Sequence, residues 1–270
     1  MEFVFKKKYG QNFIKDENLL TAIVTDAGVK GENVLEIGAG AGALTEKLCE
    51  HAKKVFSVEI DKSLQPILIE KLHRFSNLEL VFNDILKVDP SVIGHYFANE
   101  PIKVVANLPY YVSTPILFWL IKSGLNISSV TVMLQRELAE RICAKPHSKE
   151  YGSISVVLSL WGDVSITRNV SRKLFFPQPD VDSSILHISV QKSNIDIMKV
   201  ASVVKICFAM RRKTLVNNLM AGAKLSREEA EKIIASLGLD KNVRAEDLTK
   251  ENYLTLTDLL NLDTFSQNNA

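Results

Sequence analysis

Cysteine is scarce in this chain: there are 3 in 270 residues, Cys49, Cys143 and Cys207. An odd number at such wide spacing excludes a disulfide framework, and no pair has metal-ligand spacing. Idle thiols in a reducing cytoplasm are the reading. None of the 5 histidines pairs with another at ligand spacing, so no metal centre is predicted. Long apolar runs are missing too. No stretch approaches the roughly 18 residues that cross a bilayer, and Met1 to Lys8 has no apolar core of signal-peptide length. A cytoplasmic protein away from membranes is expected. An excess of either charge is also missing: the formal net charge is +2, which neither demands nor excludes nucleic acid. Internal repeats and low-complexity tracts are absent.

What is present suits a globular protein. Hydrophobic residues make up 46% of the chain and charged residues 24%, ample material for a core. The length fits a large domain with a smaller appendage. Strands are predicted at 33–37, 54–58, 78–82, 102–106, 130–134, 153–161 and 184–190. Helical patterns lie between the early ones, the first capped by Asp16 and ended by Gly28. Such alternation means βαβ units and a parallel sheet, an α/β Rossmann-like architecture. From about residue 194 only helical patterns remain, at 198–208, 214–220, 227–237 and 252–260. A catalytic domain of residues 1–192 and an all-helical domain of 193–270 are therefore expected. The last residues, 266–270, read as a frayed tail.

In parallel sheets ligands sit beyond the carboxyl ends of the strands. There this chain has Gly38-Ala39-Gly40-Ala41-Gly42 after the first strand, Glu59 after the second, Asp84 after the third and Asn107-Leu108-Pro109-Tyr110 after the fourth. The glycine loop with an acid about 20 residues on also satisfies a dinucleotide fingerprint. Two features favour S-adenosylmethionine: Glu36 puts an anion directly before the loop, suited to a sulfonium cofactor, and Asp84 is placed to accept from an adenine amine. Asn107 brings a side-chain carbonyl and Leu108 a main-chain one as acceptors. Pro109 stiffens the loop, and Tyr110 offers a face for a base. Together these hold a planar, amine-bearing ring at a reactive centre.

The set Tyr-Gly-Gln-Asn-Phe-Ile, Leu-Glu-Ile-Gly-Ala-Gly-Ala-Gly, Val-Glu-Ile-Asp, Asn-Leu-Pro-Tyr-Tyr-Val-Ser-Thr-Pro and Phe-x-Pro-x-Pro-x-Val-Asp-Ser resembles the KsgA (RsmA) family of small-subunit rRNA adenine dimethyltransferases. The run from Arg211 to Leu219 is similar to that family's helical-domain signature, and the likeness extends from about Lys7 to about Leu260. The resemblance implies methyl transfer from S-adenosylmethionine to N6 of two adjacent adenosines near the 3′ end of small-subunit rRNA, within an assembling subunit. It implies that Asn12 and Ile14 line the cofactor pocket from the amino-terminal side. Gly38 would approach the methionine moiety, Glu59 hold the ribose, Asp84 hold the adenine amine, and Asn107 border both cofactor and target. Phe175 would face Tyr110 across the flipped base.

The chain departs from the family at Ser171-Arg172 and Met210, which bears on RNA contact rather than reaction class. The clusters Lys6-Lys7-Lys8, Arg168 to Lys173 and Arg211-Arg212-Lys213 read as phosphate contacts for such a substrate. Tyr111 and Phe176 read as packing residues. A monomer is expected. The rivals are an Erm-type large-subunit enzyme, which typically has Val-Asn-Ser where this chain has Val181-Asp182-Ser183, and a non-catalytic binding protein.

Overall fold

The computed structural model describes residues 12–260. The Lys6–Lys8 cluster, the start of the Tyr-Gly-Gln-Asn-Phe-Ile stretch and the expected tail lie outside them. The chain divides into two compact units. One takes the chain up to Ala139 together with Asp163–Gln191. The other takes Glu140–Gly162 and the chain from Lys192 onward. The single boundary expected after residue 192 thus has a counterpart, but a second segment, 140–162, also belongs with the helices.

The first unit is built on a seven-stranded sheet. Its strands are β2 (Asn33–Ile37), β3 (Lys54–Glu59), β4 (Leu78–Phe82), β5 (Ile102–Asn107), β6 (Ile127–Gln135), β7 (Gly162–Val170) and β9 (Ser183–Val190), in the order β4-β3-β2-β5-β6-β9-β7. β4, β3, β2, β5 and β6 run parallel, and β9 pairs antiparallel with β6, Val130 opposite Ile188. Val-Leu-Glu-Ile in β2 is buried throughout, as a central parallel strand covered on both faces must be. The order reverses between β2 and β5, so a crevice opens beyond their carboxyl ends.

Helices α1 (Glu17–Ala27), α2 (Ala43–His51), α3 (Gln65–Leu72), α4 (Pro90–Tyr96) and α5 (Ser113–Lys122) alternate with these strands, and α6 (Arg136–Ile142) follows β6. Asp16 caps α1 by accepting the Leu19 N–H at 2.7 Å, and Gly28 ends it with φ 59°. α4 was not expected, although its signal is present: Asp89 accepts the Ser91 N–H at 2.9 Å and Pro90 occupies the first turn. A separate two-stranded ribbon joins β1 (Phe13–Ile14) to β8 (Phe175–Phe176), with Phe13 opposite Phe176 and Ile14 opposite Phe175. The predicted loop from Phe175 to Ser183 therefore begins as a short strand.

The second unit holds α7 (Ser153–Trp161), α8 (Ile197–Cys207), α9 (Leu215–Gly222), α10 (Arg227–Ser236) and α11 (Lys250–Leu260). The strand predicted at 153–161 is the helix α7. Its nearly continuous apolar run is buried almost all round, so no stripe of either period shows in the sequence. The readable cue was Ser155, whose Oγ accepts the Gly152 N–H at 3.1 Å. The core of this unit stacks Phe208 on Tyr253, centroids 6.3 Å apart, with the buried Tyr253 hydroxyl donating to the Ala245 carbonyl at 2.6 Å. Asn218 is buried and ties the turn before α9 by accepting the Met210 N–H at 2.8 Å. β7, unpredicted, alternates polar and apolar residues along the sheet edge. Among the described residues no helix is long and apolar enough to cross a membrane.

Candidate active site

A cavity of about 110 Å³ lies at the crevice, lined by Asn12, Phe13 and Ile14, the loop Gly38–Ala41, Glu59 and Ile60, and the turn Asn107–Tyr110. The glycine loop reaches it because its backbone takes left-handed conformations that glycine adopts without strain, with φ 86° at Gly38 and 55° at Gly40. A Cβ on Gly40 would stand 3.0 Å from the Phe13 ring, so the loop and β1 approach as closely as glycine allows.

Glu59 pins this loop. One carboxylate oxygen accepts the Gly40 N–H at 2.8 Å and the other accepts the Asp61 N–H at 2.8 Å. The residue is 4% exposed, and burial pushes its carboxyl above the usual range while the Asp61 and Gly40 donors pull it back. It is a buried acceptor with backbone donors already in place.

Asn107 ends β5. Its Nδ2 donates to the Asn12 carbonyl at 2.9 Å, which fixes the amide with Oδ1 as the remaining acceptor. Leu108 anchors the turn with a buried side chain and donates its N–H to the Met133 carbonyl at 3.2 Å. The Pro109 carbonyl accepts the Ser113 hydroxyl at 3.0 Å, tying the turn to α5. The Tyr110 hydroxyl bonds Ser183 Oγ at 2.7 Å, and burial raises its pKa. The phenol is therefore neutral with its oxygen engaged, which leaves the ring as the surface Tyr110 offers to the cavity.

Of the sequence-predicted residues, the cavity gathers Asn12, Ile14, Gly38, Glu59, Asn107, Leu108, Pro109 and Tyr110. Asp84 is not in its lining; Oδ1 accepts the Leu86 N–H at 3.1 Å and so caps a turn. Glu36, read as an anion facing the cofactor, is fully buried instead. Its Oε2 accepts from Thr45 Oγ1 at 2.7 Å and Ser57 Oγ at 2.5 Å, and burial pushes its carboxyl up to about 7. It braces β2, β3 and α2 beneath the loop.

The aromatic pair also differs from expectation. Phe175 is 4% exposed and sits in the apolar core with Ile14, Leu20 and Val170, outside the cavity lining. Phe176, read as packing, is 45% exposed, and Tyr111 is 57% exposed. Phe13 and Ile60 line the cavity and were not singled out in the sequence. The signal at Ile60 was an apolar residue between two acids just past a strand end.

The basic clusters separate as well. Arg168 forks onto Asp26, Nε to Oδ2 at 2.7 Å and NH2 to Oδ1 at 2.9 Å, and is a structural cation. Arg172 bonds the Asp180 carbonyl at 2.8 Å. In the second unit Arg211 bonds the Lys149 carbonyl, while Arg212 and Lys213 are exposed.

The chain matches the family model described as ribosomal RNA adenine dimethylase over residues 2–262. A ribosomal RNA small subunit methyltransferase A from Clostridium acetobutylicum is 41% identical over 95% of this chain and 94% of its own. The protein of that name from Lactococcus lactis subsp. lactis is 44% identical over 96% and 91%. Among solved structures, a dimethyladenosine transferase from Plasmodium falciparum superposes with TM-score 0.77 at 26% identity, covering 94% of this chain and 98% of that one. The 23S rRNA methyltransferase ErmE superposes with TM-score 0.68 at 27% identity, covering 93% and 100%. These likenesses bear out the resemblance carried by the motifs and the Rossmann-like architecture. Matched along nearly its whole length, the chain belongs to the ribosomal RNA adenine dimethylase family, a family of methyltransferases.

Proposed function

We propose that this protein, a cytoplasmic monomer, transfers methyl groups from S-adenosylmethionine to N6 of two adjacent adenosines near the 3′ end of small-subunit rRNA. The product is N6,N6-dimethyladenosine, made within an assembling subunit late in its biogenesis, and the helical unit contacts the RNA. One observation carries the reading. The glycine loop, Glu59 and the Asn107–Tyr110 turn share a single cavity, in a chain whose relatives at 41% and 44% identity are named for the small subunit.

The cavity's chemistry fits S-adenosylmethionine: a glycine cradle whose Gly40 turns at φ 55° close against the Phe13 ring, and a buried carboxylate, Glu59, as acceptor for hydroxyls. Asn12, Ile14, Gly38, Glu59 and Asn107 would hold it, with Asp84 taking the adenine amine through Oδ2. Bound there, it supplies an electrophilic methyl group on a sulfonium.

The protein's own residues then prepare the nucleophile. An adenine amine is a poor one, because its lone pair is delocalised into the ring. Asn107 Oδ1 and the Leu108 carbonyl accept its two hydrogens and favour a pyramidal nitrogen with its lone pair turned outward. The Asn12 carbonyl, by holding Nδ2, presents Oδ1 rather than the amide NH₂ to the amine. Rate comes mainly from this positioning. Tyr110 stacks on the base, and its π face stabilises the transient cation. The proton leaves after the amine has become cationic, so no general base is needed. The target must arrive unstacked, since N6 is unreachable inside a stack.

The test supplies labelled S-adenosylmethionine and unmethylated small and large subunits to wild type and Asn107→Ala. Label is expected in dimethyladenosine of the small-subunit rRNA, with the rate in the variant lower by roughly 100-fold, as misplacement of the reacting groups costs. Label in the large subunit would favour an ErmE-like specificity. Absence of label with normal binding of S-adenosylhomocysteine would overturn the catalytic reading.

A further inference from the structure

The β1/β8 ribbon places one aromatic ring where the sequence did not call for one. Direct partners across an antiparallel pair project from the same face. Phe13 and Phe176 are such partners, as are Ile14 and Phe175 on the other face. The Phe13 face is the one turned to the glycine loop, since its ring carbons lie 3.0 and 3.1 Å from where a Gly40 Cβ would stand. Phe175 faces the core and is 4% exposed. Phe176 therefore projects on the Phe13 side of the ribbon, next to a cavity-lining residue though outside the lining itself, and 45% of it is open to solvent.

Its ring is a flat apolar face on the ribbon beside the cavity-lining Phe13. Its neighbour is a cation: Lys15 Nζ sits 3.6 Å from the centre of the Phe176 ring. The Lys15 backbone is fixed there, because its N–H donates to the Leu174 carbonyl at 3.2 Å. A planar π surface with an ammonium lying over its face matches one repeating chemical unit, a nucleotide, which offers a flat base to take the ammonium's place and an adjoining phosphate to receive it.

We propose that Phe176 and Lys15 form a binding subsite for a nucleotide flanking the target adenosine. Phe176 stacks the base, and Lys15 moves from the ring to the phosphate. The subsite holds the RNA strand in register while the neighbouring base enters the cavity. This rests on the RNA-methylating reading above and assigns part of its substrate grip to residues outside the Asn107–Tyr110 turn.

The test uses unmethylated small subunits with wild type, Phe176→Ala, Phe176→Tyr and Lys15→Gln. Base–aromatic stacking predicts that Phe176→Ala raises KM for the subunit about 10-fold. Its kcat and its affinity for S-adenosylhomocysteine should change less than about 2-fold, and Phe176→Tyr should restore KM. Lys15→Gln should reduce the slope of log affinity against log salt by about 0.7, the value of one lost phosphate contact on a single strand. An unchanged KM in Phe176→Ala would overturn the subsite. So would a parallel loss of S-adenosylhomocysteine affinity, which would show that the ring only supports the ribbon. Wild type inactive on small subunits would instead defeat the reading on which the subsite rests, and the two failures are distinct.

Discussion

Two glutamates in this protein look alike in the sequence and behave differently in the fold. Leu35-Glu36-Ile37 and Val58-Glu59-Ile60 each put an acid between aliphatic residues at the end of a parallel strand, and β2 and β3 are neighbours. In register, Glu36 lies opposite Ser57, inside the sheet, whereas Glu59 lies two residues beyond that level. That offset decides their chemistry. Glu36 meets hydroxyls from Ser57 and Thr45 on one oxygen, and its Oε1 is buried without a partner. Glu59 meets a backbone N–H on each oxygen and borders the cavity. One acid is a brace under the glycine loop and the other is the loop's clasp, open to a ligand.

The sharpest way to break this contrast is to remove each acceptor in turn. Glu59→Gln should have the largest effect on ligand binding. An amide NH₂ cannot accept from Gly40 or Asp61, so one of those backbone donors is left facing another donor. Losing a charge-assisted hydrogen bond and any ligand hydroxyl held there costs about 2–3 kcal/mol. Affinity for S-adenosylhomocysteine should fall by roughly 30- to 150-fold in calorimetric titration. A change below about 3-fold would mean that Glu59 only shapes the loop.

Glu36→Gln should leave ligand affinity nearly unchanged and alter stability instead. The Glu36 carboxyl ordinarily titrates near 4.5, and burial raises it to about 7 in the folded protein. Between those values the unfolded chain has lost the proton and the folded protein keeps it, so raising the pH favours unfolding. The stabilisation from a neutral Glu36 is complete below pH 4.5 and lost by about pH 7, a change of about 3 kcal/mol. Glutamine cannot titrate. The difference in urea-unfolding free energy between variant and wild type should shift in the variant's favour by that amount from pH 4.5 to 7.5. A constant difference across the range would show that Glu36 is already ionised in the fold.

The same contrast explains what the sequence revealed. Strand-end logic found the glycine loop, Glu59 and the Asn107–Tyr110 turn, because β/α alternation fixes where strands end and ligands gather there. It could not tell Glu36 from Glu59, since a register offset between neighbouring strands is set by packing across the sheet. Asp84 was legible as a ligand-binding acid and equally as a cap, and the nearby Leu86 N–H engages it. Phe175 and Phe176 stand side by side in the sequence. Which ring faces the core is settled by pairing with Phe13 and Ile14, far away along the chain. α7 was hidden for another reason: a helix buried all round carries no stripe. β7 alternates weakly at an edge, where little burial enforces a pattern.

The smallest effect should come from trimming the brace rather than the acid. Ser57 Oγ donates to Glu36 at 2.5 Å and holds its carboxyl lower than burial alone would leave it. Ser57→Ala removes that donor and leaves only Thr45 on the same oxygen. The charged form loses more than the neutral form, because a hydrogen bond to a carboxylate is the stronger one. The folded-state titration of Glu36 should therefore move upward by about one pH unit, the equivalent of roughly 1.4 kcal/mol. Stability below pH 4.5 should change little, while the decline expected of wild type should continue about one unit past pH 7. Ligand affinity should hold, since Ser57 reaches only the brace. If Ser57→Ala instead weakened S-adenosylhomocysteine binding as much as Glu59→Gln, the two acids would be one coupled unit and their separation into brace and clasp would fail.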